Sequence, residues 1–171
     1  MPSTYTLIKG ETIASSAASY TFTAIPSTFT DLVLRISARS DDASTVRGVN
    51  VTYNGVSGTS YSEIALSGNG STATSFLSSS VGTSSLGVVS GGNTTANTFG
   101  SLEAYIPSYT ASQNKQVSSD SASEDNATAA VRRGNASLFR NTSAISSITL
   151  VLNAGNFATG SSFYLYGVKN A

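Results

Sequence analysis

Ser112-Gln113-Asn114-Lys115 carries the Ser-x-x-Lys spacing that, on a helix, sets an amine one turn from a nucleophilic hydroxyl. Here the motif falls in a stretch, Ser108–Thr128, that reads as loop, and a chain with 33 Ser meets such a pattern by chance. Asp41-Asp42 and the Asp120/Glu124/Asp125 group offer hard oxygen donors of the kind calcium takes. Their spacing fits no EF-hand loop, and adjacent carboxylates in a turn read as solvated. No pair among the nine acids stands out as a glycosidase couple. The chain lacks His and Cys, which excludes a Ser-His-Asp triad, a thiolate nucleophile, a disulfide framework and Cys/His metal clusters. No catalytic residue, cofactor or metal is expected.

The basic residues suggest contact rather than catalysis. Arg132, Arg133 and Arg140, with Arg39 and Arg47 elsewhere, read either as solvated side chains or as a docking patch for an acidic partner, because arginine forks onto carboxylates. Nine basic and nine acidic residues cancel, a poor match to nucleic acid, which rewards a basic excess. No apolar run could span a bilayer, so no membrane partner is expected. Met1–Tyr5 lacks a basic region followed by an apolar stretch, and no signal peptide is expected. Six Asn-x-Ser/Thr sequons, at Asn50, Asn69, Asn93, Asn126, Asn135 and Asn141, are expected to be unmodified.

These residues must be held by strands. Of 171 positions, 54 are Ser or Thr and 11% are charged, yet 39% are hydrophobic, enough for a folded domain. Period-two alternation marks Tyr20–Ala24, Leu32–Ser37, Val49–Tyr53, Leu102–Ile106, Ile148–Leu152 and Phe163–Tyr166 as half-buried strands. Leu86–Val89 and Val131–Phe139 are weaker candidates. Asn54-Gly55 and Gly68-Asn69-Gly70 read as turns that accept positive φ. Ser67–Ser85 and Ser108–Thr128 read as longer loops. No 3.6-residue periodicity is sustained. The expectation is an all-β chain of eight to ten strands: one antiparallel, jelly-roll-like β-sandwich domain over residues 1–171. Residues 1–13 form either an opening strand or an arm laid on a neighbouring subunit.

The ribbon Ser161–Val168 is apolar on both faces, Phe163 and Leu165 on one side and Tyr164, Tyr166 and Val168 on the other. Ile148–Leu152 is similar, because Val151 stands opposite Leu150. One face lines the core. The second, carrying Tyr164, Tyr166, Val168 and Val151, is covered either by a second subunit or by a loop or the N-terminal arm. A surface of small hydroxyls suits close packing, since Ser and Thr lose little entropy when fixed.

The runs Tyr20-Thr21-Phe22-Thr23-Ala24-Ile25-Pro26 and Thr30-Asp31-Leu32-Val33-Leu34-Arg35 resemble a pattern common in structural proteins of marine tailed phages, cyanophages among them. So do Gly68-Asn69-Gly70-Ser71, Asn97–Tyr109, Arg140–Leu150 and the closing Phe163-Tyr164-Leu165-Tyr166-Gly167-Val168-Lys169. The likeness spans nearly the whole chain and rests on strand and turn segments. It implies a non-enzymatic virion protein with a jelly-roll-like sandwich, similar to capsid cement (decoration) proteins. Such proteins are often homotrimers on the outer capsid surface that bridge the major capsid protein. Arg132, Arg133 and Arg140 are then the candidate capsid contacts and Tyr164, Tyr166, Val168 and Val151 the candidate subunit interface. The alternative is a receptor- or glycan-binding domain of a tail fibre or spike. Assembly in the host bacterial cytoplasm accords with the missing Cys.

Overall fold

A strand with one apolar face needs a second layer to cover it, and this chain supplies two sheets of unequal width. The computed structural model describes residues 4–126 and 130–169, and those residues form twelve strands and no helix. In order they are β1 (Tyr5–Thr12), β2 (Ser19–Phe22), β3 (Asp31–Ala38), β4 (Val46–Tyr53), β5 (Tyr61–Gly68) and β6 (Ala73–Val81). There follow β7 (Ser84–Ser90), β8 (Gly100–Ile106), β9 (Lys115–Glu124), β10 (Ala130–Phe139), β11 (Ile148–Leu152) and β12 (Ser162–Val168). The large sheet runs β1-β12-β3-β8-β9-β10-β5-β6 and the small one β2-β11-β4-β7. All ladders are antiparallel.

The order becomes simple once β5–β6 and β9–β10 are set aside as inserted hairpins. The other eight strands then form two sheets of four, with order first-eighth-third-sixth facing second-seventh-fourth-fifth. That is the double Greek key of a jelly roll. Both insertions extend the same sheet beyond β8, and β10 pairs with β5 although their hairpins are far apart in sequence. The result is a roll with a four-stranded wing.

The core lies between the sheets. Leu34, Ile36, Phe163 and Leu165 of the large sheet face Phe22, Val49, Val51, Ile148 and Leu150 of the small one. Tyr20 stacks on Phe163 at 4.3 Å between centroids across the two layers. A second aromatic group, Tyr53, Tyr61 and Phe139, fills the end where β4 gives way to β5. Asn54-Gly55 has the expected positive φ at both residues, but it turns a corner between sheets instead of closing a hairpin, since β4 and β5 belong to different sheets. Gly68–Thr72 does close a hairpin, with Asn69 Oδ1 accepting from the amides of Ser71 and Thr72.

Two expected loops are strands. Ser67–Ser85 contains β6, and Ser108–Thr128 contains β9, the latter central in the sheet; residues 127–128 of that stretch lie outside the described residues. The inward side of β9 is Lys115, Val117, Ser119, Ser121 and Ser123, all buried. Serine can occupy this interior because it is hydrogen-bonded there. Ser121 Oγ accepts from the Val88 amide at 3.0 Å, and Ser90 and Ser123 share a 3.0 Å hydroxyl contact. Asn135, one of the sequons, is buried in the same layer and donates to Ser85 O. Small residues let β7 approach β8 and β9 closely: a Cβ on Gly100 would lie 2.7 Å from Val89 Cα. The weaker candidates Leu86–Val89 and Val131–Phe139 are full strands, β7 and β10.

Candidate interaction face

The small sheet covers only part of the large one, and the outer surface of the large sheet has no second layer among the described residues. Alternation decides what it presents. From β1 come Tyr5 and Leu7, from β12 Tyr164 and Tyr166, from β3 Arg35, and from β8 Glu103 and Tyr105. The wing adds Ile64, Leu66 and Leu77.

The aromatic half is built around Arg35. Its Nε donates to Glu103 Oε2 at 2.7 Å, and its guanidinium lies 5.7 Å from the Tyr166 ring centre and 6.0 Å from that of Tyr5. The Glu103 carboxylate, through hydrogen bond and charge, holds the guanidinium above its ordinary pKa. Tyr5 meets Tyr166 edge-on at 6.4 Å. Tyr105 OH donates to Asp31 Oδ2 at 2.7 Å, and that bond to a carboxylate raises the phenol. Asp31 Oδ1 also accepts from the Ser108 amide. Rings fixed by cations and carboxylates lose little freedom on binding, the property wanted of contact residues. Arg35, Ser37, Ser101, Glu103 and Tyr164 line a shallow groove of about 290 Å³ on this half.

The wing half is aliphatic. Leu66 is 67% exposed, Leu77 74% and Ile64 49%, large values for residues that ordinarily seek cover. Phe76 projects to the inner side of the same hairpin, beneath the Arg133 guanidinium at 5.2 Å.

The two expected contact groups separate. Tyr164 and Tyr166 lie on the outer face of the large sheet, half-buried, and Val168 beside them is buried. Residues 5–12 are a strand paired with β12, so the opening-strand reading holds for them, and they supply part of the cover over the tyrosines. A Cβ on Gly10 would strike the Tyr164 ring at 2.5 Å, which is how closely β1 lies under that ring. Val151 is on the outer face of the small sheet, the opposite side of the sandwich, because Ile148, Leu150 and Leu152 take the core positions of β11. One partner surface cannot cover all four.

The arginines are likewise dispersed. Arg132 is exposed on the outer face and pairs with Asp120 at 2.8 Å. Its neighbour Arg133 points to the inner face, where burial lowers its pKa. Arg140 lies beyond the far end of β10, on the order of 25 Å from Arg132 along a strand, and donates to Thr59 O and Ser80 Oγ. Arg39 is a clamp: Nη1 donates to Thr94 Oγ1, Thr95 O and Thr98 O, and Nη2 to Gly92 O and Thr94 O. Arg47 pairs with Asp42.

The candidate catalytic and ligating groups serve the fold. Lys115 is fully buried and donates to the carbonyls of Ala111, Gln113 and Asn141, so its amine is held away from chemistry with Ser112. Asp41 accepts from the Asn156 amide at 2.7 Å, from Asn156 Nδ2 and from Ser16 Oγ, and these bonds lower its pKa. Glu124 caps the Asn126 amide. Among the described residues no three His, Cys, Asp or Glu side chains gather as a metal site.

Sequence reasoning passed over Arg35, Glu103, Tyr105 and Tyr5. Their signal was present as opposite charges at facing positions of two alternating strands, Arg35 and Glu103, but the register that joins them is not written in either strand alone. No protein-family model matches the chain, and no curated protein matches it.

Proposed function

We propose that this chain is a non-enzymatic structural protein of a phage virion, a cement protein that docks on the outside of the capsid and bridges its major capsid protein. The observation that carries the reading is the outer face of the large sheet, uncovered among the described residues, with Tyr5 and Tyr166 ordered around the Arg35–Glu103 pair and Tyr105 fixed by Asp31. Such a face offers rigid amphipathic rings at its centre and little net charge around them, the composition of a contact surface core. The aromatic half, in place of the dispersed arginines, is the shell contact in this reading. Many copies acting together add resistance to bursting, because each bound copy favours the assembled shell by mass action. Capsids stripped of the protein should burst at lower temperature and regain the difference when purified protein is added back. Unchanged burst temperature in both directions rejects the cement role.

A second reading, a receptor- or glycan-binding domain, is favoured by the groove beside Tyr164. A tyrosine ring flanked by Arg35, Glu103, Ser37 and Ser101 offers a stacking surface and polar groups for sugar hydroxyls. Binding on a glycan array that disappears in Tyr164→Ala, with no effect of the protein on capsid bursting, would select it.

A further inference from the structure

We propose that β6 is the edge through which two copies of this chain pair, antiparallel, about a two-fold axis centred on Leu77. The two sheets have four edges: β1, β6, β2 and β7. Three are blunted by devices that keep strands from adding on. β1 has a bulge between Leu7 and Lys9 and carries the Lys9–Glu11 ion pair. β2 is four residues long. β7 is buried along its length, with Arg39 bridging it at Ser90. β6 has none of these protections over Ala73–Ser79: it is exposed, without charge and without proline. Its one irregularity, the positive φ of Ser80, lies at its far end. A row of backbone donors and acceptors on such an edge is complemented by another extended strand.

Charge and side-chain pattern select a second copy as that strand. No Asp, Glu, Lys or Arg stands between Glu63 and Glu103. The charges that reach β6 from elsewhere, Arg133 over Phe76 on the inner side and Arg140 at Ser80, lie off its outer row of Ser75, Leu77 and Ser79, so an uncharged strand is the match for that row. β6 itself meets the requirement. With the axis at Leu77, that residue faces its own copy on the outer side, next to Leu66 and Ile64. On the inner side the two Phe76 rings become diagonal neighbours, within reach of one another. Ser75 faces Ser79, hydroxyl to hydroxyl. A ring of three would instead require β6 to meet a different edge, and the other long exposed edge is the bulged, charged β1. The inserted hairpin that carries β6 thus holds four exposed large apolar residues, Ile64, Leu66, Phe76 and Leu77, for one purpose.

The pairing is independent of capsid docking and is read on the purified full chain alone. Sedimentation at about 100 μM should give twice the 17.4 kDa chain mass. Leu77→Lys and Ser75→Lys should each halve that mass while leaving far-UV circular dichroism and the urea midpoint unchanged, and Leu7→Lys on β1 should leave the dimer intact. A covalent readout avoids dependence on lysine tolerance. The chain has no Cys, so Leu77→Cys introduces a single thiol, facing its own copy at an opposite-pair Cα spacing of about 4.5–5.5 Å, within disulfide reach. Mild oxidation should convert Leu77→Cys to a covalent dimer far faster than Leu7→Cys. A monomeric parent, a trimer, a dimer that survives both lysine variants, or equal crosslinking at Leu7 and Leu77 would each overturn the proposal.

Discussion

Ser121 Oγ occupies the place that a side chain on Gly87 would need: a Cβ built there lies 2.3 Å from that oxygen, and Gly87 has φ +142°. The neighbouring Val88 amide donates to the same Ser121 Oγ at 3.0 Å, so the missing side chain and the hydrogen bond are two sides of one contact between β7 and β9. Gly87→Ala should therefore lower unfolding free energy by about 3 kcal/mol, combining backbone strain with overpacking. Urea titration at constant m-value measures it, and a loss under about 1 kcal/mol would mean that the layers relax apart at small cost.

Arg39 holds the 92–98 loop through a planar fork with five acceptor contacts. An ammonium has three donors and no fork. Arg39→Lys should cost about 1 kcal/mol by leaving part-buried carbonyls of Gly92, Thr94 and Thr98 unpaired. It should also speed proteolysis or amide exchange within that loop, while exchange in β11 stays as in the parent.

Lys115 is buried among three carbonyl oxygens, and desolvation lowers its pKa. Lys115→Met fills similar volume and orphans those acceptors, at an expected cost of about 2–4 kcal/mol. Equal stability of the two proteins by thermal and urea unfolding would show that water replaces the ammonium.

Glu63 is half-buried, and burial raises its carboxyl pKa against the opposing effects of the Ser85 amide and the Arg133 charge. A carboxyl with a higher pKa folded than unfolded binds its proton more tightly in the native state. Its contribution is therefore favourable below the unfolded carboxylate range and is lost as pH rises through the folded value. Glu63→Gln removes the charge and keeps an acceptor for Ser85. The variant should match the parent near pH 4 and exceed its stability at pH 8, as read from paired urea titrations. A variant less stable than the parent at pH 8 contradicts the burial argument.

Arg35→Ala removes an exposed ion pair, worth less than about 1 kcal/mol, along with the cation that orders Tyr5 and Tyr166. Thermal stability should barely move. Co-sedimentation with stripped capsids should fall at least about tenfold, the loss expected for a central contact. Arg132→Ala, which removes a dispersed arginine, should leave it unchanged.

What could be read from the sequence follows from what each strand buries. β3, β8, β11 and β12 put Leu, Ile and Phe inward, so their alternation is visible in hydropathy. β9 alternates as strictly, but its inward residues include Ser119, Ser121 and Ser123, and a hydropathy pattern cannot tell a buried, hydrogen-bonded serine from a solvated one. β6 is an edge strand whose two large apolar residues, Phe76 and Leu77, fall on opposite faces, so no period emerges. The apolar second face of β12 was legible, and its cover proved partly internal, from β1. Val151 looked equivalent to Tyr164 and Tyr166 because strand periodicity reports two faces and not which sheet they belong to.

Among the described residues the first strand has its sole sheet partner in the last, since β1 pairs with β12 alone. A nascent polypeptide emerging from the ribosome therefore carries Tyr5–Thr12 unmated until Ser162–Val168 is released. That edge of the large sheet is completed only once β12 is available, and chains truncated ahead of β12 are left with an unmated ribbon for quality-control machinery to find.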